Sequence, residues 1–222
     1  MLTGPTLDAA RRLIGAHLIR DDDAGVSRTG RIVEVEAYIG EDDRASHARF
    51  GRTARNAVMY GPPGVAYVYL VYGMHECLNV VTEPEGHPAA VLIRAVEPMG
   101  APSAAAMRAA RSQAWEARQR TPDPEATARE HARLASVPDV RIASGPGLVA
   151  AAFSLTRADT GTDLLDPRGT VRIEQGSAPG RIEATPRIGV GYAGDEWASR
   201  PWRFLDPSSP AVSGARPRGS AS

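Results

Sequence analysis

Three short runs rich in β-branched and aromatic residues limit what this chain can fold into: AYVYLVYG (66–73), LNVVT (78–82) and VLIRAV (91–96). The turn Gly73-Met74-His75-Glu76 joins the first two as a hairpin, and the third supplies a neighbour, so an antiparallel sheet follows. Upstream, RIVEVEAY (31–38) alternates as a strand, with Val33, Val35 and Ala37 facing one way and Ile32, Glu34, Glu36 and Tyr38 the other. Strand-like patterning returns at TVRIE (170–174) and IGVGY (188–192).

Helical spacing is confined to a few segments. Leu7, Ala10, Leu13 and Ile14 predict a helix over 6–16 with Thr6 as its cap, ended by the break at 21–25. Residues 103–137, rich in Ala, Arg and Glu, predict helices split by Pro122 and Pro124. SGPGL (144–148) reads as a loop entering a helix, where amides at Gly145 and Gly147 could receive a phosphate. Residues 39–65 lack a period and read as a polar functional loop. The chain is therefore expected to form one domain over 1–205 and a Pro/Ser/Gly/Arg-rich flexible tail over 206–222.

Composition narrows the chemistry. At 222 residues, with 42% hydrophobic and 23% charged, the chain can bury a core without staples. Cys77 is the only cysteine, which excludes intramolecular disulfides, CxxC redox pairs and cysteine-rich metal sites. Lysine is absent, so the only amine able to form a Schiff base is that of Met1. Net charge is zero, so any nucleic-acid footprint must be local. With no long apolar run and no secretory h-region, the expected compartment is the cytoplasm, with no membrane partner.

Several side chains stand out against that background. Glu36, at the end of an apolar strand and just before a polar loop, is a candidate base for activating water; the alternative is an exposed strand face bearing Glu34 and Glu36. Tyr67, Tyr69 and Tyr72 crowd one run although aromatics are 5% of the chain, which suits either core packing or, at the Tyr72-Gly73-Met74 tip, a wedge between stacked bases. His47 shares its loop with Arg44, Arg49, Arg52 and Arg55, a set suited to phosphates and a base; the alternative is a solvated loop. Asn79 and Arg94 each interrupt an apolar run and must find a partner or face a cavity. Glu34, Glu36, His47 and His75 match no familiar metal-ligand spacing, so no metal is expected.

RIVEVEAY, His47, Arg55-Asn56, PGVAYVYLVYGMHECLNVV, VLIRAVEP, and then SGPG (144–147), RIGVGYAG (187–194) and RPWRF (200–204), in this order, closely resemble the alkyladenine (3-methyladenine) DNA glycosylase family. The resemblance spans about residues 6–213. It implies an α+β domain with a curved antiparallel sheet surrounded by helices, whose protruding β-hairpin enters the minor groove. It also implies a monomer that needs no cofactor and acts on double-stranded DNA containing a damaged purine, in the cytoplasm and associated with the nucleoid. Residue by residue, Glu36 matches the general base and Arg94 a polar group beside the catalytic water. Tyr38, His47 and Tyr69 match the pocket that sandwiches the flipped base, and Asn79 the residue that discourages guanine. Tyr72 matches the side chain that fills the gap in the stack, with Met74 beside it, and Arg49, Arg52, Arg55, Gly145 and Gly147 are the expected phosphate contacts. Arg44 and Arg187 would complete a local cationic face, Leu148 stands where the family commonly has lysine, and Tyr192 stands where it often has histidine. The rival readings are a catalytically silent nucleic-acid-binding protein and a hydrolase of free nucleosides.

Overall fold

The RIVEVEAY run widens into β2 (Ser27–Ile39), a 13-residue strand with three antiparallel partners. One edge pairs with β5 (Ala89–Pro98); the other is shared between β1 (His17–Asp21), opposite Ser27–Arg31, and β8 (Arg203–Leu205), opposite Glu34–Glu36. The computed structural model describes residues 2–71 and 73–214. It adds β3 (Ala66–Val71), β4 (His75–Val81) and β6 (Val171–Glu174) to give the order β3-β4-β5-β2-β1-β6, while β7 (Glu183–Thr185) pairs with β8. β3 and β4 pair from Ala66↔Val80 to Val71↔His75. Tyr72 lies outside the described residues, so the projection of the expected hairpin tip is not described.

Five helices complete this α+β domain among the described residues: α1 (Thr6–Leu13), α2 (Gly100–Glu116), α3 (Pro124–Ala135), α4 (Pro146–Ala152) and α5 (Asp195–Ala198). Leu13, Met107, Val149 and Phe153 bury against Ile32, Val35, Leu78 and Ile93 of the sheet, forming the main core. The expected split of 103–137 occurs between α2 and α3, where Asp123 caps α3 by accepting from the Glu125 and Ala126 amides, with Pro124 opening the helix. α1 is capped differently from expectation. Pro5 is its N-cap, and Glu83 reaches in from a distant turn to accept from both the Thr6 amide and its hydroxyl. No helix among the described residues is long and apolar enough to cross a membrane.

Two register slips between β2 and β5 decide where side chains point. Ile32 faces Val96 and Glu34 faces Ala95, which leaves Val33 extra; Val35 then faces Ile93, which leaves Arg94 extra on the opposite strand. The bulge overturns the simple alternation: Ile32 joins Val35 and Ala37 in the main core, whereas Val33 packs with Leu205, Ala211 and Val212. Arg94, freed from a regular pair, sits beside the β2 carboxylates.

Two other expectations are corrected. IGVGY (188–192) is not a strand: Gly189 takes φ +76, which interrupts an extended ladder, and Gly191–Ala193 is a single tight turn. The segment from Asp206 is not a loose tail through Ser213. Asp206, Ser209, Ala211, Val212 and Ser213 are all buried, and Asp206 pairs with Arg31 at 2.6 Å. Ala211 and Val212 pack with Val33, the Asp206 amide donates to the Val33 carbonyl, and the Ser213 amide and hydroxyl donate to Glu34, contacts with β2 that a Pro/Ser-rich composition conceals. Residues 215–222 lie outside the described residues.

Candidate active site

Glu34 and Glu36 are two apart on β2 and so share a face, and both are completely buried, contrary to an exposed strand face. Glu36 Oε1 accepts from the Ile188 amide at 2.7 Å, and Oε2 accepts from the Tyr38 hydroxyl at 2.8 Å and from Arg94 Nη1 at 3.2 Å. Glu34 is tied off more fully. Its Oε1 accepts from Arg94 Nε at 2.9 Å, Arg203 Nε at 2.6 Å and the Ser213 hydroxyl at 2.9 Å, and its Oε2 accepts from the Ser213 amide. Burial opposes the Arg94 cation, but Glu36 and Glu34 outweigh it and hold the guanidinium pKa above its usual value. Two carboxylates and two guanidiniums thus balance in the interior, with Arg94 bridging the acids.

A cavity of about 50 Å³ is lined by Tyr38, Ala45, His47, Met59, Tyr67, Tyr69, Asn79, Ala90 and Tyr192; Glu36 and Arg94 are not among its lining residues, and Glu36 meets it through the Tyr38 hydroxyl. The four base-pocket residues expected from sequence therefore meet in one place. Tyr67 and Tyr69 share a face of β3, with ring centres 5.3 Å apart, and His47 meets Tyr69 edge-on at 4.3 Å. His47 Nδ1 is 3.0 Å from the Tyr67 hydroxyl. Burial, reinforced by Arg55 and Arg49, pushes the His47 pKa down to about 4, so the ring is neutral at physiological pH. Burial first and Glu36 second push the Tyr38 hydroxyl well above its usual pKa, which keeps it a donor to the carboxylate. Asn79 is fixed by its amide nitrogen, which donates to the Tyr67 carbonyl at 3.1 Å. A hollow of about 730 Å³ between α2 and α3 shares no lining residue with this cavity.

The loop carrying His47 is not peripheral: Asp43, Ser46 and Asn56 are buried within it. The Asn56 side-chain amide donates to the His47 and Gly51 carbonyls at 2.9 and 3.0 Å, which pins the loop. Asp43 accepts from the Ala45 amide and binds Arg187 at 2.6 and 2.9 Å.

The description "Methylpurine-DNA glycosylase (MPG)" fits a family model matching residues 1–210. The chain belongs to the methylpurine-DNA glycosylase family. Relatives named "Putative 3-methyladenine DNA glycosylase" align over nearly its whole length. That of Methanocella arvoryzae is 49% identical across 96% of this chain and 93% of its own. That of Myxococcus xanthus is 42% identical across 97% and 92%, and that of Bacillus cereus 39% identical across 95% of each. The enzyme is accordingly a DNA glycosylase, a hydrolase of N-glycosyl bonds, and its partner is DNA containing damaged bases.

The glycosylase distributes its remaining expected contacts unevenly. Met74 is 57% exposed in the turn after β3, and Tyr72 lies outside the described residues. Arg44, Arg52 and Arg55 are exposed, and Arg49 is half-buried with its guanidinium over the Phe50 and Tyr192 rings. Arg187 does not join that cationic face, because its side chain is wholly buried against Asp43. Gly145 is not an open phosphate donor either, since its amide donates to the Arg94 carbonyl at 2.9 Å. Gly147 serves close packing: a Cβ there would come within 3.0 Å of the His75 Cβ. Arg203, Ser213 and the Ile188 amide bind the two carboxylates and Tyr192 lines the cavity, contacts to which the sequence alone assigns no role. The RIGVGYAG and RPWRF strings contain three of these four.

Proposed function

We propose that the glycosylase flips 3-methyladenine, 7-methylguanine, hypoxanthine and ethenoadenine out of duplex DNA and hydrolyses the N-glycosidic bond with water activated by Glu36. The observation that carries this reading is the Glu36 carboxylate, completely buried yet hydrogen-bonded to Tyr38, a wall of the aromatic cavity. Water attacks C1′ and gives its proton to Glu36, while the bond to the base breaks and its electron pair leaves with the base, which departs neutral when alkylated at N3 or N7 and takes up a proton from solvent when it is hypoxanthine or ethenoadenine. Developing positive charge on the sugar is stabilised by the same carboxylate. Tyr38, His47 and Tyr69 hold the base, Asn79 rejects guanine, and Arg94 fixes the carboxylate. Tyr72 and Met74 fill the emptied stack, and Arg49, Arg52 and Arg55 hold phosphates. Unstacking costs a few kcal/mol, least for a damaged base. The enzyme acts as a monomer, and because the chain has no lysine it is monofunctional, leaving an intact strand with an abasic site.

Incubation with a duplex bearing one such lesion tests this by chromatographic detection of the free base. Glu36→Gln should abolish release while lesion binding persists. Full release by that variant would remove Glu36 from the mechanism, and binding without release by the unaltered enzyme would favour a silent binder. Strand scission without added alkali would exclude the monofunctional reading.

A further inference from the structure

Tyr38 is backed by a cation. Arg187 Cζ lies 4.7 Å from the centre of the Tyr38 ring and 5.0 Å from that of Trp202, so the guanidinium is flanked by both rings. Tyr38 lines the cavity and Arg187 does not, which puts the guanidinium on the side of the ring turned away from a bound base. The carboxylate of Asp43 meets both terminal nitrogens of Arg187, and both side chains are fully buried.

A purine alkylated at N3 or N7 carries a full positive charge, whereas hypoxanthine carries none. The face of Tyr38 attracts a cation. An unneutralised guanidinium behind the ring would oppose that attraction. Next to Tyr38, Glu36 and Arg94 form an ion pair, whereas Arg49 and Arg55 stand over the Tyr192 and Tyr69 rings of the cavity and are half-buried and exposed, so that solvent screens them and both variants below leave them unchanged. We infer that Asp43 is a specificity-determining residue, its charge cancelling that of Arg187 so that the pocket admits cationic bases. This rests on the base-pocket reading above and extends it to the charge of the substrate.

The test compares single-turnover release of 7-methylguanine and hypoxanthine from otherwise identical duplexes, alongside competition binding of the same duplexes in the Glu36→Gln background. A stacked base adds about 3.5 Å to the 4.7 Å separation, giving roughly 8 Å between the charges. At an effective dielectric of about 20, two like charges at that distance change the cationic-to-neutral ratio by about thirtyfold. Asp43→Asn should lower the ratio by that order. Asp43 also accepts from the Ile39 and Ala45 amides, so the variant can loosen the His47 loop, but such damage lowers both substrates together and leaves the ratio unchanged. Arg187→Met tests the opposite sign and should raise the ratio, and the double variant should return it to near the starting value. Ratios within threefold of the unaltered enzyme in both single variants would overturn the inference while leaving base release intact. Absence of lesion binding and release in the unaltered enzyme would instead overturn the pocket reading on which it rests.

Discussion

Glu34→Ala removes the acid on which two buried guanidiniums converge. Arg94 retains Glu36, but Arg203 is left with the Thr185 hydroxyl and the Ser213 carbonyl, neither of them charged. Breaking a buried ion pair by deleting one partner typically costs about 3–5 kcal/mol, because a charge is left uncompensated in the interior. In a domain of this size each kcal/mol lowers Tm by roughly 2–4 °C, so the variant should melt about 6–20 °C below the parent. Glu34→Leu/Arg203→Met removes both charges and should recover most of that loss, since an apolar pair of similar volume avoids the desolvation penalty. Calorimetry or circular-dichroism melts at one pH read both numbers. A Glu34→Ala shift below about 2 °C, or a double variant no more stable than the single, would refute the view that Glu34 neutralises these cations.

The His47 pKa of about 4 lies below its unfolded value of about 6.5, so between those pH values the unfolded chain binds the extra proton. The His47 contribution to stability is therefore complete above about pH 6.5, is lost as pH falls, and by about pH 4 has cost up to about 3 kcal/mol. Urea midpoints across that range should show this slope in the parent and its loss in His47→Gln; parallel curves would refute it. Val212→Asp puts an unpaired charge beside Val33, Ala95 and Leu205 and should destabilise by about 3 kcal/mol or more, with denaturant unfolding as the check. A change within about 0.5 kcal/mol would mean that this segment does not dock as described.

What the sequence disclosed depended on how local each interaction is. The β3, β4 and β5 runs and the Glu36–Tyr38 pair follow from period-two spacing, and the tyrosine pair on β3 follows from the same rule. The Val33 and Arg94 bulges were not legible, because a register slip is set jointly by two strands 60 residues apart, and neither strand alone marks it. Arg187 looked like a surface cation because its partner, Asp43, is 144 positions away. The segment 206–213 looked like a tail because its Pro and Ser residues match disordered chains, while its attachment comes from main-chain and hydroxyl donors to Glu34 that composition does not weigh. For the aromatic cavity, family resemblance brings together residues from β2, β3, β4 and the 39–65 loop that no spacing rule connects.

The Ile188 contact to Glu36 is made by an amide and not by a side chain. Evolution can therefore exchange the residue at position 188 widely without disturbing that anchor, because every amino acid except proline brings the same N–H. Ile188→Pro would cut it while leaving every side chain on the carboxylate untouched. A profile of tolerated residues at 188 would thus look permissive at one of the positions that fix the orientation of Glu36.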